Sequence, residues 1–193
     1  MTLFLGACLL ALTTPAQPAL RPGVSVQLVP TTSAAPLPDA DRADASIVAV
    51  AANGTIYFGI IPMSPKDLAG RVKAELAAYP GKRLYVKADA HTPFSDVGST
   101  LDALRAAGVD APFLLTDQRN AGDTPPVPPK GLEVRLAAPP AGSRVVDARR
   151  LPRACPKRVA VKAEPATPFA DVVRAIDHCH AKGATVFLLT PRR

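Results

Sequence analysis

The chain has 193 residues, 48% apolar and 20% charged, with 22 prolines, no tryptophan and a formal charge of +7. The apolar share suffices for a packed core, and no block of like charge marks the chain as disordered. Six Phe and three Tyr are too few for stacking platforms on single-stranded nucleic acid, and the composition also excludes collagen, a coiled coil and a dense disulfide scaffold. The positive charge is dispersed, which suits anionic lipid or cell-wall surroundings as well as it suits nucleic acid.

Residues 1–20 open with an apolar run over 3–12 that Thr13-Thr14-Pro15 ends. This fits either a signal segment or a truncated membrane helix, since no run reaches the roughly 18 apolar residues of a complete span. Residues 21–45 read as a Pro-rich linker punctuated by Pro22, Pro30, Pro36 and Pro38. Val24, Val26 and Leu28 alternate, so a short strand is expected there only by pairing with another segment, and the rest is expected to be extended and mobile.

Regular patterning starts at Ser46. Residues 46–52 and 55–61 are β-type runs around Asn53-Gly54, the signature of a type I′ hairpin. Ser64, Pro65 and Asp67 then supply a helix cap, a first-turn proline and a capping-box acid, and Leu68, Val72, Leu76 and Tyr79 follow at helical spacing up to Pro80-Gly81. Residues 84–88 form a strand. Thr92-Pro93 start a second helix in the same capped manner, with an apolar face of Phe94, Val97, Leu101 and Leu104 that Gly108 ends. Residues 111–115 form the next strand. The order is β-hairpin-α-β-α-β, a two-layer α/β (α+β) unit over 46–117.

A second, Pro-rich linker occupies 118–130. Residues 131–193 then repeat part of the unit. Lys82-Arg83-Leu84-Tyr85-Val86-Lys87-Ala88-Asp89 matches Lys157-Arg158-Val159-Ala160-Val161-Lys162-Ala163-Glu164, and Thr92-Pro93-Phe94-Ser95-Asp96-Val97 matches Thr167-Pro168-Phe169-Ala170-Asp171-Val172. Asp102 and Gly108 fall against Asp177 and Gly183, and Phe113-Leu114-Leu115-Thr116 against Phe187-Leu188-Leu189-Thr190 after one gap. This copy is shortened. Residues 132–136 are expected to turn through Pro139-Pro140-Ala141-Gly142 and return over 144–146, and Pro152 and Pro156 leave no room for the first helix. Its open face must be covered by the first copy or by a partner chain.

Chemistry-bearing sets are absent. No glycine spacing approaches GxxxxGK or GxGxxG. His178 and His180 with Cys155 and Cys179 lack zinc-site spacing, so no metal and no cofactor are expected, and the histidines read as surface groups on a solvated helix end. Asp89 and Asp96 offer a carboxylate pair, but Asp96 in a first helical turn is already favoured by the helix dipole. No Ser/His/Asp or Cys/His set assembles by spacing, so the chain is read as a non-enzyme. With Cys8 in the apolar segment, Cys155 and Cys179 are the two thiols of the folded part. A helix running back along the strand at 159–163 returns Cys179 towards Cys155, which predicts a disulfide. The competing reading is a buried free thiol, because Cys179 aligns with Leu104.

Residues 46–116 resemble the periplasmic domain of the ExbD/TolR biopolymer-transport family. The resemblance rests on Val48-Ala49-Val50, Asn53-Gly54-Thr55-Ile56-Tyr57, Val86-Lys87-Ala88-Asp89, Phe94, Val97, Leu101-Asp102-Ala103-Leu104, Ala107-Gly108 and Leu114-Leu115-Thr116. Phe94 stands where the family usually has Tyr. Asp89, Phe94, Asp102, Gly108 and Thr116 are therefore the family-motif positions. Leu9 to Leu12, Thr13-Thr14-Pro15 and the segment from Gly23 to Leu28 resemble the point where the family's single membrane helix leaves the bilayer. The family's proton-binding Asp would fall at or just before Met1 and is absent from this chain. The resemblance implies an accessory subunit of a proton-motive-force-coupled transducer in the bacterial inner membrane, with its folded part in the periplasm. It further implies a homodimer working with ExbB/TolQ-like membrane subunits and a TonB/TolA-like protein, with no nucleic acid involved. The alternative is a secreted periplasmic interaction module without proton coupling. Val24, Val26 and Leu28 are the candidate strand for adding to a sheet edge.

Overall fold

The computed structural model describes residues 23–116 and 128–190. The expectations for residues 1–20, Cys8 included, and for most of the linker over 118–130 lie outside the described residues. Among the described residues no helix is long and apolar enough to cross a membrane.

Strand β1 (Ala35–Pro36) and a short 3-10 turn (Pro38–Asp41) precede β2 (Ser46–Val50), β3 (Ile56–Phe58) and β4 (Ile61–Met63). Helix α1 (Pro65–Ala78), β5 (Leu84–Ala88), α2 (Phe94–Ala106) and β6 (Phe113–Leu115) complete the first unit. Then come β7 (Lys130–Glu133), β8 (Arg144–Asp147), β9 (Arg158–Lys162), α3 (Phe169–His180) and β10 (Thr185–Leu188). The expected mixed α/β architecture is present, and every predicted helix forms.

Local signals explain most elements. Ser64 caps α1 by accepting the Asp67 N–H at 3.2 Å, and Leu68 and Val72 bury its inner face. Tyr79, expected on that face, is exposed instead, because it sits at the C-cap where the helix has already ended. The Asn53-Gly54 loop is not type I′. Only Gly54 has positive φ (+78°), Gly54 N–H donates to Ala51 O at 2.9 Å, and Ala51 N–H donates to Thr55 O at 3.0 Å. This is a three-residue loop with a left-handed glycine. Asn53 is instead held in place by its own side chain, whose Oδ1 accepts the Thr55 N–H at 3.0 Å. The second β-run is cut at Gly59, so β4 forms as a further strand beside β3.

Two sheets result. A seven-stranded sheet has the order β1-β7-β6-β5-β2-β3-β4, and β10-β9-β8 form a parallel three-stranded sheet. The expected return hairpin over 132–146 does not form. β7 lies antiparallel to β6 (Leu114 opposite Leu132), while β8 lies parallel to β9 (Val146 opposite Val161). The reason is the free side of β6: Leu132 and Val134 are almost wholly buried when they extend the first sheet. The same stretch of chain then crosses to the second sheet. Arg135 N–H donates to Val186 O and Leu188 N–H to Arg135 O, both at 2.9 Å. One core therefore runs through both sheets, from Val48, Leu68 and Leu101 to Val161, Ile176 and Leu188.

The starts of α2 and α3 face each other. Phe94 N–H donates to Thr167 O at 2.8 Å and Phe169 N–H to Thr92 O at 2.9 Å; Ser95 N–H reaches Pro165 O and Ala170 N–H reaches Ala90 O, both at 2.9 Å. The exchange is two-fold about Pro93 and Pro168, as in an isologous interface. The expected Thr92 side-chain cap is absent: its hydroxyl donates to Ala51 O at 3.0 Å, and the facing segment takes the Phe94 and Ser95 N–H groups at the start of α2.

Candidate functional site: the docking face of the N-terminal strap

Residues 23–45, expected to be loose, are strapped across both units. Of the strap's apolar residues, Val26, Val29, Leu37 and Ala40 are buried. Prolines deny it helix and long ladders, so most of its backbone is satisfied one group at a time.

Asp89, just past the end of β5, is the first anchor. Its side chain is only 10% exposed. Oδ2 accepts the Gln27 N–H at 2.8 Å, and Oδ1 accepts the His91 N–H at 3.0 Å with the His91 ring at 3.2 Å. Ala90 N–H donates to Gln27 O at 2.9 Å, so Gln27 is held through both backbone groups. Burial would raise the Asp89 pKa, but the hydrogen bonds from Gln27 and His91 outweigh it and hold the carboxyl below its ordinary range. The Lys87 ammonium donates to Val24 O at 2.7 Å, and burial pushes its pKa down.

The strap then passes Thr116 at the end of β6, where the Thr31 and Thr116 hydroxyls lie 2.8 Å apart. Asp177 on α3 is the second anchor. It accepts the Thr32 N–H at 2.9 Å, the Ser33 N–H at 2.8 Å and both hydroxyls. Burial opposes ionisation here too, yet the donors from Ser33 and Thr32 lower the Asp177 pKa overall. Beyond it β1 pairs with β7, and Leu37 N–H donates to Pro129 O at 2.6 Å.

The other positions singled out in the sequence fall around this face. Asp102 accepts the Thr190 hydroxyl at 2.6 Å and pairs with Arg105 at 2.6 Å. Phe94 is fully buried, and Gly108 turns the chain after α2 at φ +90°. Val24, Val26 and Leu28 belong to no strand; Val26 is buried, and their segment is clamped by Lys87, Asp89 and Ala90 of its own chain. Cys155 and Cys179 have their Sγ atoms 2.10 Å apart, at the end of α3. His178 and His180 are half-buried rather than free on a solvated helix end. The His178 ring reaches Pro152 O and the His180 ring reaches Glu133 O, both at 2.7 Å, tying the helix end to neighbouring loops. Among the described residues no His, Cys, Asp and Glu cluster suits a metal ion. Asp89 and Asp96 do not face a common reacting centre: Asp89 serves the strap, and Asp96 packs on Gly54. Sequence reasoning missed Gln27, Thr32, Ser33 and Lys87, because their partners are distant in the chain and no spacing signals them.

The family model for the biopolymer transport protein ExbD/TolR matches residues 2–119. The chain belongs to the ExbD/TolR family. ExbD/TolR proteins are non-enzymatic transport accessories, anchored in a membrane with a periplasmic domain, that work with ExbB/TolQ and TonB/TolA-type partners. No curated protein matches the chain. The match ends close to β6, so the strap and the first unit are ExbD/TolR sequence, while β7 to β10 and α3 lie beyond it.

Proposed function

We propose that the chain is an accessory subunit of an inner-membrane energy transducer driven by the proton-motive force, with its folded part in the periplasm. It works beside ExbB/TolQ-like subunits and a TonB/TolA-like protein. One observation supports this reading most. Asp89 and Thr116, two positions of the family motif, both bind the strap that leads from the N-terminal segment into the folded body. A displacement at the N-terminus is then passed directly to the ends of β5 and β6. Between residues 24 and 33 the strap is fixed by single hydrogen bonds rather than a ladder, so this part can be released without breaking a sheet, at the cost of exposing Val26 and Val29. A homodimer would need a surface other than the starts of α2 and α3, which pair within the chain.

The test is co-purification. The full chain, tagged at its C-terminus, should be recovered from detergent-solubilised inner membranes together with an ExbB/TolQ-type subunit. Recovery in the soluble periplasmic fraction without a membrane partner would refute the transducer role and favour a free interaction module.

A further inference from the structure

Charge divides sharply along the chain. Residues 128–190 carry eleven Lys and Arg against five Asp and Glu, a formal +6, whereas residues 23–116 carry eight against nine. The basic part lies beyond the family match. It is also where a strand is left open. β8 is the outer strand of the three-stranded sheet. Ala148 N–H donates to Lys162 O at 2.8 Å, so the backbone groups of Arg144, Val146 and Ala148 face β9 and those of Val145 and Asp147 face away. Asp147 O is taken by the Arg150 N–H at 2.9 Å. The free edge thus presents the Val145 N–H and C=O and the Asp147 N–H. Val145 itself is 51% exposed. Arg144, Lys157 and Arg158 are exposed at the same end of the sheet, because Arg144 stands opposite Val159. None of the three has an ion-pair partner among the described residues.

We propose that the outer edge of β8 is a docking site for an extended, acidic segment of a partner protein, which adds to the sheet as a further strand. The open backbone groups require an extended peptide, exposed Val145 gives it one apolar contact, and the unpaired cations require it to be acidic. A second copy of this chain is disfavoured, since it would bring two +6 regions together. An anionic bilayer would answer the charges but not the directional N–H and C=O groups. The inference is independent of the transducer role, since the edge lies outside the matched residues.

The probe is a fluorescein-labelled peptide of alternating glutamate and valine, about ten residues long, titrated by anisotropy with the full chain in detergent. Saturable binding is expected, with affinity falling at least about tenfold in high salt and no binding of the lysine–valine counterpart. Arg144→Glu and Arg158→Glu should each weaken it several-fold. Val145→Pro removes an outward N–H while leaving the β8–β9 bonds in place, and should abolish binding. Since that variant can also disturb folding, the wild-type chain is tested against the same peptide N-methylated at alternate residues, which should not bind. Equal binding of the N-methylated peptide, no binding at millimolar concentration, concentration-dependent dimerisation lost in Val145→Pro, or binding to phosphatidylglycerol vesicles without peptide binding would each overturn the proposal.

Discussion

Replacing Asp89 by Asn tests the anchor of the strap. Each carboxylate oxygen has its own duty: Oδ2 takes Gln27 N–H and Oδ1 takes His91 N–H. An amide has one acceptor oxygen and turns its NH2 towards the other donor, so one charge-assisted bond is lost. Such a bond contributes about 1.5–3 kcal/mol. Gln27 lies in the part of the strap that is held by single hydrogen bonds and belongs to no strand, so the loss should appear first in local exchange rather than in the melting temperature. Amide hydrogen exchange at whichever of Gln27 and His91 then faces the NH2 should accelerate about ten- to a hundredfold, while the amides of β5 keep their protection. The wild-type anchor should behave likewise in acid. The folded-state pKa of Asp89 is depressed, so its contribution is complete above the unfolded carboxylate pKa and is lost as pH falls through the folded value. Unchanged exchange at both Gln27 and His91 in Asp89→Asn, after correction for intrinsic rates, would refute the reasoning.

Gly131→Ala should destabilise the chain by about 1–3 kcal/mol, read from the urea midpoint, because an added Cβ would lie 2.6 Å from Leu114 O and from Leu37 Cδ1. Phe94→Ala empties a fully buried site and should cost about 3–5 kcal/mol by the same measurement. Cys155 and Cys179 are 24 residues apart, so their disulfide should contribute about 3 kcal/mol. Denatured chain should leave both thiols unalkylated until a reductant is added, and alkylation without reductant would show that no bond exists.

Much of this architecture is legible in the residues. Ser64-Pro65-Lys66-Asp67 writes the start of α1 because a cap involves only neighbours, and Phe94, Val97, Leu101 and Leu104 write the buried stripe of α2 because a helix face is periodic. The motif positions Asp89 and Thr116 also stand out in the sequence, but what they hold does not. Gln27 and Asp89 are 62 residues apart, and Ser33 and Asp177 are 144 apart. Hydrogen bonds to single backbone groups have no period and leave no pattern in the chain. The same limit hid the partner of β7: alternation at Leu132 and Val134 announces a strand, but which open edge it joins depends on the area each edge can bury. The sequence by itself therefore determined the helices, most of the strands, the Ser64 cap and the family, all of which depend on residues near one another. Only the tertiary structure decided that the Pro-rich segment is a strap and that both sheets share one core. Those outcomes follow from competition among distant surfaces for the same backbone groups and the same apolar area.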